Sequence, residues 1–146
     1  MKKELHTETI IRADIGTVWQ ILTDFPAYPE WNPFIIRIGG RSEEGAVLDV
    51  RIQPVGGRAM NFAPKILCCR PPYELRWLGK TVWRGLFDGE HFFRLETLPD
   101  DTTKLTHGER FDGLLVRFAA DMLDRTTLPA FEQMNQALKQ RAENSL

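Results

Sequence analysis

The sequence predicts an α+β fold in which a seven-stranded curved antiparallel sheet wraps around a long C-terminal helix, with two short helices after the first strand. Short apolar or alternating runs, separated by turn residues, fill the middle of the chain and are typical of an antiparallel meander. Helical spacing precedes this region and returns after Gly113. Only the C-terminal helix is long enough to cover the apolar face of such a sheet. A twisted sheet can curl around this helix and leave a cavity between them.

The first strand and the two short helices are predicted from residues 4–33. Residues 4–12 are rich in Thr and Ile, as strands are, and Asp14 can then cap a helix. The apolar residues that follow at helical spacing are Ile15, Val18, Trp19 and Leu22. Three prolines between residues 26 and 33 allow at most one further helical turn before the chain must extend.

The six remaining strands and the C-terminal helix are bounded by turn residues and prolines. The predicted strands cover roughly residues 34–40, 46–53, 58–69, 73–80, 86–98 and 102–112. Pro64 cannot donate to a ladder, so it marks an edge or a bulge within its strand. In the C-terminal helix, Pro129 removes a hydrogen bond and predicts a kink or break near residues 125–129.

Composition narrows the classes of partner. The chain has 19 Lys and Arg against 20 Asp and Glu, with a net charge of −1 and no long basic run, so nucleic acid is not an expected partner. No stretch of about 18 apolar residues and no signal-peptide pattern is visible, so we expect no membrane span and a cytoplasmic location. No linker divides the sequence, which predicts one domain over residues 1–146. No cofactor or metal-binding motif is present, and the sequence leaves the oligomeric state open.

Several segments spread along the chain carry a resemblance to a known superfamily. They are ADIGTVWQILTD at 13–24, YPEWNPF at 28–34, LRW at 75–77, GEHFFRL at 89–95, THGERF at 106–111 and FEQMNQALK at 131–139. The chain resembles the START-like (SRPBCC) helix-grip superfamily, in particular its polyketide cyclase/dehydrase-like branch. The resemblance implies a helix-grip fold for nearly the whole chain. Because that superfamily includes lipid and hormone carriers as well as aromatase/cyclases, the resemblance does not assign an activity.

The hairpin of residues 86–98 and 102–112 is the most informative segment for a site. If residues 99–101 form a three-residue loop, His91 lies opposite Glu109, and Phe93 lies opposite His107. Opposed side chains have Cβ atoms about 5 Å apart, so an imidazole and a carboxylate could hydrogen-bond on the concave face. His91, His107 and Glu109 are therefore the candidate catalytic or ligand-orienting residues. Alternatively, these groups satisfy one another and do no chemistry.

Further residues are candidates for the wall of a ligand cavity. Trp31, Phe62, Trp77 and Phe93 fall on predicted inward faces, and Phe118 and Met122 of the C-terminal helix are expected to face the same space. Ordinary core packing explains each of them as well. Trp83 is a candidate entrance gate, or an aromatic residue packed on a neighbouring loop. Two histidines and a carboxylate could also form a metal triad, although the spacing fits only loosely.

Three functions follow from this pattern. The first is binding of a hydrophobic small molecule, such as a lipid, an aromatic or a polyketide-like compound, between the sheet and the C-terminal helix. The second is a cyclase or dehydrase-type enzyme that uses the His and Glu side chains as acid and base. The third is a protein-binding or co-chaperone-like module, which an exposed apolar patch in place of a pocket would favour.

Overall fold

The computed structural model describes residues 2–80 and 87–145. Within these residues the strands are β1 (Lys2–Ile11), β2 (Ile35–Gly39), β3 (Asp49–Ile52), β4 (Met60–Phe62), β5 (Lys65–Arg70), β6 (Glu74–Lys80), β7 (Asp88–Leu98) and β8 (Thr102–Asp112). The helices are α1 (Ile15–Thr23), a 3₁₀ helix (Phe25–Glu30), α2 (Val116–Met122), a π-helical turn (Leu123–Thr127) and α3 (Leu128–Asn144). This order confirms the predicted α+β class, with short helices after the first strand and a long helix at the C-terminus.

The strands form two antiparallel sheets. The larger sheet has the order β1-β8-β7-β6-β5, and the smaller has the order β2-β3-β4. Backbone hydrogen bonds join the two, because Leu48 N–H donates to the Pro64 carbonyl and Ile66 N–H donates to the Ala46 carbonyl, both at 2.8 Å. The two sheets therefore form a continuous wall.

The strand count differs from the predicted seven at one place. The predicted strand over residues 58–69 is divided into β4, which pairs with β3, and β5, which pairs with β6. Pro64 lies between the two strands and has no N–H to donate, so it interrupts the ladder and lets the chain pass from one sheet to the other.

The β7–β8 hairpin has the predicted register. Its loop is three residues long, and Leu98 pairs with Thr102. Asp100 and Asp101 have φ values of 63° and 51°, in the left-handed region that Asp tolerates better than most residues. His91 therefore pairs with Glu109 and Phe93 pairs with His107, as the sequence predicted.

The C-terminal helical region is interrupted near the predicted proline break. Pro129 has no N–H and sits in the first turn of α3, so it cannot supply a hydrogen bond to the turn before it. Residues 123–127 form the π-helical turn, in which Leu128 N–H reaches back to the Leu123 carbonyl. Within this turn, the Thr126 carbonyl accepts a hydrogen bond from Val55 N–H at 3.0 Å. This bond ties the π-helical turn to the loop between β3 and β4.

Helix α3 packs against β1, β8 and α1 through one apolar stripe. Phe131, Met134, Leu138 and Ala142 are fully buried and recur at helical spacing. At the start of the chain, Asp14 caps α1 by accepting a hydrogen bond from Thr17 N–H, as predicted. No helix within residues 2–80 and 87–145 is long and apolar enough to cross a membrane.

We expect Phe131→Ala to lower the free energy of unfolding by about 3–5 kcal/mol, because the ring is fully buried and contacts Phe34 and His107. Phe118→Ala is the matched control, since Phe118 is 73% exposed, and it should change the stability by about 0.5 kcal/mol or less. Urea denaturation followed by circular dichroism measures both. Equal losses would contradict the positions of these two rings.

Candidate functional site

A cavity of about 380 Å³ lies between the two sheets and the π-helical turn. Its apolar wall includes Phe34, Ile52, Phe62, Trp77, Phe111 and Leu123. The polar residues that line it include Arg58, Asn61, His91, Glu109, Thr126 and Thr127. We call this space the inner cavity. The C-terminal region contributes to it through Met122 and the π-helical turn, whereas α3 does not line it.

A larger open groove of about 1090 Å³ lies on the other face of the large sheet. Charged side chains dominate its lining, including Lys2, Lys3, Glu4, Lys65, Glu90 and Arg110. The lining of this groove is more polar than the lining of the inner cavity. The inner cavity is therefore the better candidate for a ligand site.

Two glycines make room for the inner cavity. Gly79 of β6 pairs with Gly89 of β7, and both line the cavity. A Cβ atom on Gly89 would collide with Oε2 of Glu109, and one on Gly79 would press on the Phe62 ring. The missing side chain of Gly89 thus provides the space in which the Glu109 carboxyl lies, and that of Gly79 leaves room beside Phe62.

A row of hydrogen-bonding side chains runs from the cavity into the core. Oε1 of Glu109 lies 3.3 Å from Nδ1 of His91, and Nε2 of His91 lies 2.8 Å from Nε2 of His107. Nδ1 of His107 lies 2.8 Å from Oδ1 of Asn135, whose Nδ2 donates to Thr7 Oγ1 at 2.8 Å. Thr7 Oγ1 in turn donates to the backbone carbonyl of His107 at 2.6 Å. We call these five residues the buried polar row.

Aromatic rings enclose the two imidazoles. His91 stacks on Trp77 with ring centroids 5.1 Å apart, and His107 stacks on Phe131 at 4.3 Å. Phe93 contacts both histidines, at 4.9 Å from His91 and 4.4 Å from His107. These apolar surroundings disfavour a charge on either ring.

The pKa values follow from this burial. Burial raises the pKa of the Glu109 carboxyl to about 8 and lowers the pKa of the His91 imidazole to about 3. The pKa of His107 lies well below its ordinary value, mainly because of burial and secondly because of the nearby His91, while the hydrogen bond to Asn135 opposes the fall. At neutral pH the His91–Glu109 pair therefore carries no net charge.

The residues predicted for the site fall into two groups. Phe62, Trp77, His91, Glu109 and Met122 line the inner cavity. His107 and Phe93 are completely buried and support His91 from behind.

The other predicted positions lie elsewhere. Trp31 packs edge-on against Tyr28 at 5.1 Å and does not line the cavity. The expectation that Phe118 faces the cavity is wrong, because its side chain is 73% exposed. The π-helical turn shifts the helical phase of α2 relative to α3, so one stripe does not continue through both helices. Trp83 lies outside the described residues.

Sequence reasoning missed Asn135 and Thr7. Asn135 lies on the apolar stripe of α3, four residues after Phe131, and is 1% exposed. A polar residue on such a stripe is a sign that a buried partner is present. Thr7 pairs directly with His107 in the β1–β8 ladder, a register that the local sequence does not reveal.

The site has no arrangement suited to a metal ion within the described residues. No group of three or more His, Cys, Asp and Glu side chains there is placed to hold one. The facing Nε2 atoms of His91 and His107 are hydrogen-bonded to each other, so they do not converge on a common point.

A comparison with protein families identifies the chain's relatives. Residues 2–143 match the family described as "Polyketide cyclase / dehydrase and lipid transport". The chain belongs to this family. Membership agrees with the resemblance to the START-like helix-grip superfamily found in the sequence. A search of the curated proteins found none that matches the chain.

Solved structures that share the fold of this chain include enzymes. The ZhuI aromatase/cyclase from Streptomyces sp. R1128 matches with a TM-score of 0.80 and 16% identity, covering 98% of this chain and 94% of that chain. A norcoclaurine synthase point mutant from Thalictrum flavum, in complex with a transition-state analogue, matches with a TM-score of 0.76 and 13% identity, covering 99% and 96%. A START superfamily protein from Mycobacterium smegmatis matches with a TM-score of 0.71 and 18% identity, covering 98% and 99%. At these identities the likeness shows the helix-grip fold.

The pKa shifts predict how stability depends on pH. Between pH 4.5 and about 8 the folded chain keeps a proton on Glu109 that the unfolded chain releases, so this group makes stability fall as pH rises. Below pH 6.5 the histidines act in the opposite sense, because the unfolded chain takes up protons that the buried rings do not. The two effects together favour maximal stability near pH 6.5.

The variant Glu109→Gln isolates the contribution of the carboxyl. We expect the free energy of unfolding of the wild type to fall between pH 6.5 and 8 relative to that of E109Q, as measured by urea denaturation at a series of pH values. A difference between the two proteins that does not change with pH would contradict the raised pKa of Glu109.

Proposed function

We propose that this chain binds a hydrophobic small molecule in the inner cavity. The observation that carries the proposal is a cavity of about 380 Å³ with a largely apolar wall and a carboxyl group, that of Glu109, reaching it from the buried polar row. Ligand sites of small molecules are typically apolar spaces of about 300–1,000 Å³ with a few placed polar groups. The family description, which includes lipid transport, supports the same class of ligand.

The size of the cavity limits the ligand. A lipid, an aromatic or a polyketide-like compound can lie against Phe34, Trp77 and Phe111 while its polar end reaches Glu109. Arg58 and the two threonines of the π-helical turn line the same cavity and can contact a second polar group. The ligand we propose is therefore mainly apolar and carries few polar groups.

A cavity-filling variant tests this function. Ile52→Trp places an indole where Ile52 now lines the cavity, whereas Leu114→Trp adds the same group to a side chain that is 75% exposed. With the apolar fluorescent probe N-phenyl-1-naphthylamine, we expect I52W to bind about tenfold more weakly than the wild type or worse, and L114W to bind as the wild type does. Fluorescence titration measures the Kd.

Native mass spectrometry of the freshly purified wild type provides a second readout, because a co-purified molecule would appear as an added mass. Circular dichroism of both variants checks that they fold. Equal probe binding by I52W and the wild type would overturn the inner cavity as the binding site.

A cyclase or dehydrase-type activity is the second function that we propose. Of the three predicted catalytic candidates, Glu109 reaches the cavity and has a pKa of about 8, close to the range in which a group can both give and take a proton. His91 also lines the cavity and would exchange protons with Glu109, while His107 would hold His91 in place. The aromatase/cyclase with the same fold makes this chemistry a reasonable one to test.

If this activity exists, Glu109→Gln should reduce kcat by about 10²-fold or more on an identified substrate, because an amide cannot transfer the proton. Steady-state kinetics of the wild type and E109Q provide the measurement, with L114W as a variant outside the cavity. Unchanged turnover in E109Q would remove Glu109 as an acid or base.

Protein binding, the third function predicted from the sequence, ranks below ligand binding. An apolar patch in place of a pocket would favour a protein-binding or co-chaperone-like module, and here exposed Leu114 and Phe118 accompany a cavity. We therefore place ligand binding first. The cytoplasmic location, the single domain over residues 1–146 and the absence of a nucleic-acid partner stay predictions.

A further inference from the structure

The direction of hydrogen bonding in the buried polar row is fixed at its inner end. Thr7 has one hydroxyl proton, and its Oγ1 lies 2.6 Å from the carbonyl oxygen of His107. A carbonyl oxygen can only accept, so the Thr7 proton must lie in this bond. Thr7 Oγ1 can then only accept from Asn135, which places the Asn135 amide nitrogen toward Thr7 and its Oδ1 toward His107.

The orientation of the Asn135 amide determines which ring nitrogen of His107 and of His91 carries a proton. Because Asn135 Oδ1 is an acceptor, Nδ1 of His107 carries a proton and donates to it. His107 is neutral, so its Nε2 has a lone pair and no proton. His91 must therefore donate from its Nε2 across the 2.8 Å contact between the two rings.

At the cavity end, one proton remains to be placed between His91 Nδ1 and Glu109 Oε1, which are 3.3 Å apart. Either the carboxyl holds the proton on Oε1 and donates to a neutral His91, or His91 holds it and donates to the carboxylate. The two arrangements have the same net charge. In both of them Oε2, the other oxygen of Glu109, has no proton and is purely an acceptor.

We infer that the inner cavity selects a neutral apolar molecule with a hydroxyl group, whose O–H donates a hydrogen bond to Oε2 of Glu109. The inference rests on the proposed ligand-binding function and names the class of head group for that same cavity. Glu109 lines the cavity, and Oε2 lies over Gly89, in the space that a side chain there would fill. A donor is needed because a head group that can only accept, such as an ether or a carboxylate, would leave two acceptors facing each other.

A hydroxyl fits the charges around the cavity better than an ammonium group does. The Glu109–His91 pair is neutral overall in both proton arrangements, so it offers no net negative charge to a cation. If a cation drove the shared proton out of the row, Oε1 of the carboxylate would face the lone pair of His91 Nδ1 at 3.3 Å. Arg58, which lines the same cavity, adds a positive charge to its wall. Both effects work against a cationic head group.

Three biphenyl probes separate the head-group preference from apolar binding. They are biphenyl, 4-methoxybiphenyl and 4-phenylphenol, and the last two differ only in whether the oxygen carries a methyl group or a proton. Isothermal titration calorimetry at pH 7 should show that the wild type binds 4-phenylphenol about tenfold more tightly than it binds 4-methoxybiphenyl. Equal affinities for the two would overturn the inference while leaving ligand binding intact. No binding of any probe would overturn the proposed function itself, and the inference with it.

Variants of Glu109 test the role of its oxygen. Glu109→Leu should abolish the preference for 4-phenylphenol, and biphenyl binding to this variant checks that the cavity persists. Glu109→Gln should rescue the preference, because its amide can donate to His91 Nδ1 and direct its carbonyl oxygen to the position of Oε2. A carboxylate acting through its charge would not be replaced by an amide, so failure of the rescue would overturn the inference.

Variants of Thr7 test the fixed end of the row. Thr7→Val removes the hydroxyl, so the Asn135 amide is free to turn over and the direction of the row is no longer set. We expect the preference for 4-phenylphenol to fall at least threefold in T7V. Thr9→Val makes the same change two residues along β1, outside the row, and should keep the preference. An unchanged preference in T7V would overturn the assignment of direction.

Discussion

The pairing register of β7 and β8 is the constraint on which the rest of the site depends. The three-residue loop at 99–101 fixes Leu98 opposite Thr102, and every later pair follows from that one. Because side chains alternate along a strand, a slip of one residue in this pairing would place His107 and Glu109 on the opposite face of the sheet from His91. The inner cavity would then lose its polar end and α3 would lose its polar contact. The short turn at 99–101 therefore determines whether the inner cavity contains polar groups.

The buried polar row also links parts of the chain that are far apart in sequence. Thr7 belongs to β1, His91 and Glu109 to the central hairpin, and Asn135 to α3. Buried polar groups without partners are costly, so the row is stable only while all of these elements hold their relative positions. The same groups that present an oxygen to the cavity therefore specify where α3 lies on the sheet. The mutual hydrogen bonds of these residues are therefore compatible with the role that we propose for Glu109 in the inner cavity.

Most of the fold and the central pair of the site could be predicted from the sequence, because both depend on local patterns. Alternation and a short turn are enough to place His91 opposite Glu109. Thr7 and Asn135 could not be predicted, since nothing local states which residue of α3 lies over which residue of the sheet. Phe118 was misplaced for a related reason: the spacing around it is helical, and the π-helical turn that changes its direction depends on how Pro129 is accommodated. Local sequence patterns predict on which face of a strand or helix a side chain lies, whereas long-range packing determines which of these faces contact each other.

The glycine pair at 79 and 89 has a consequence for how such a protein can diverge. Both residues lie in the floor of the inner cavity, on neighbouring strands, and neither belongs to the buried polar row. A larger residue at Gly79 would shorten the space on the side of Phe62, and one at Gly89 would displace the carboxyl of Glu109. For the ligand-binding function that we propose, ligand length and head-group preference can therefore change separately, through single substitutions on adjacent strands. A substitution at Gly79 would change the size of the inner cavity and leave the buried polar row in place.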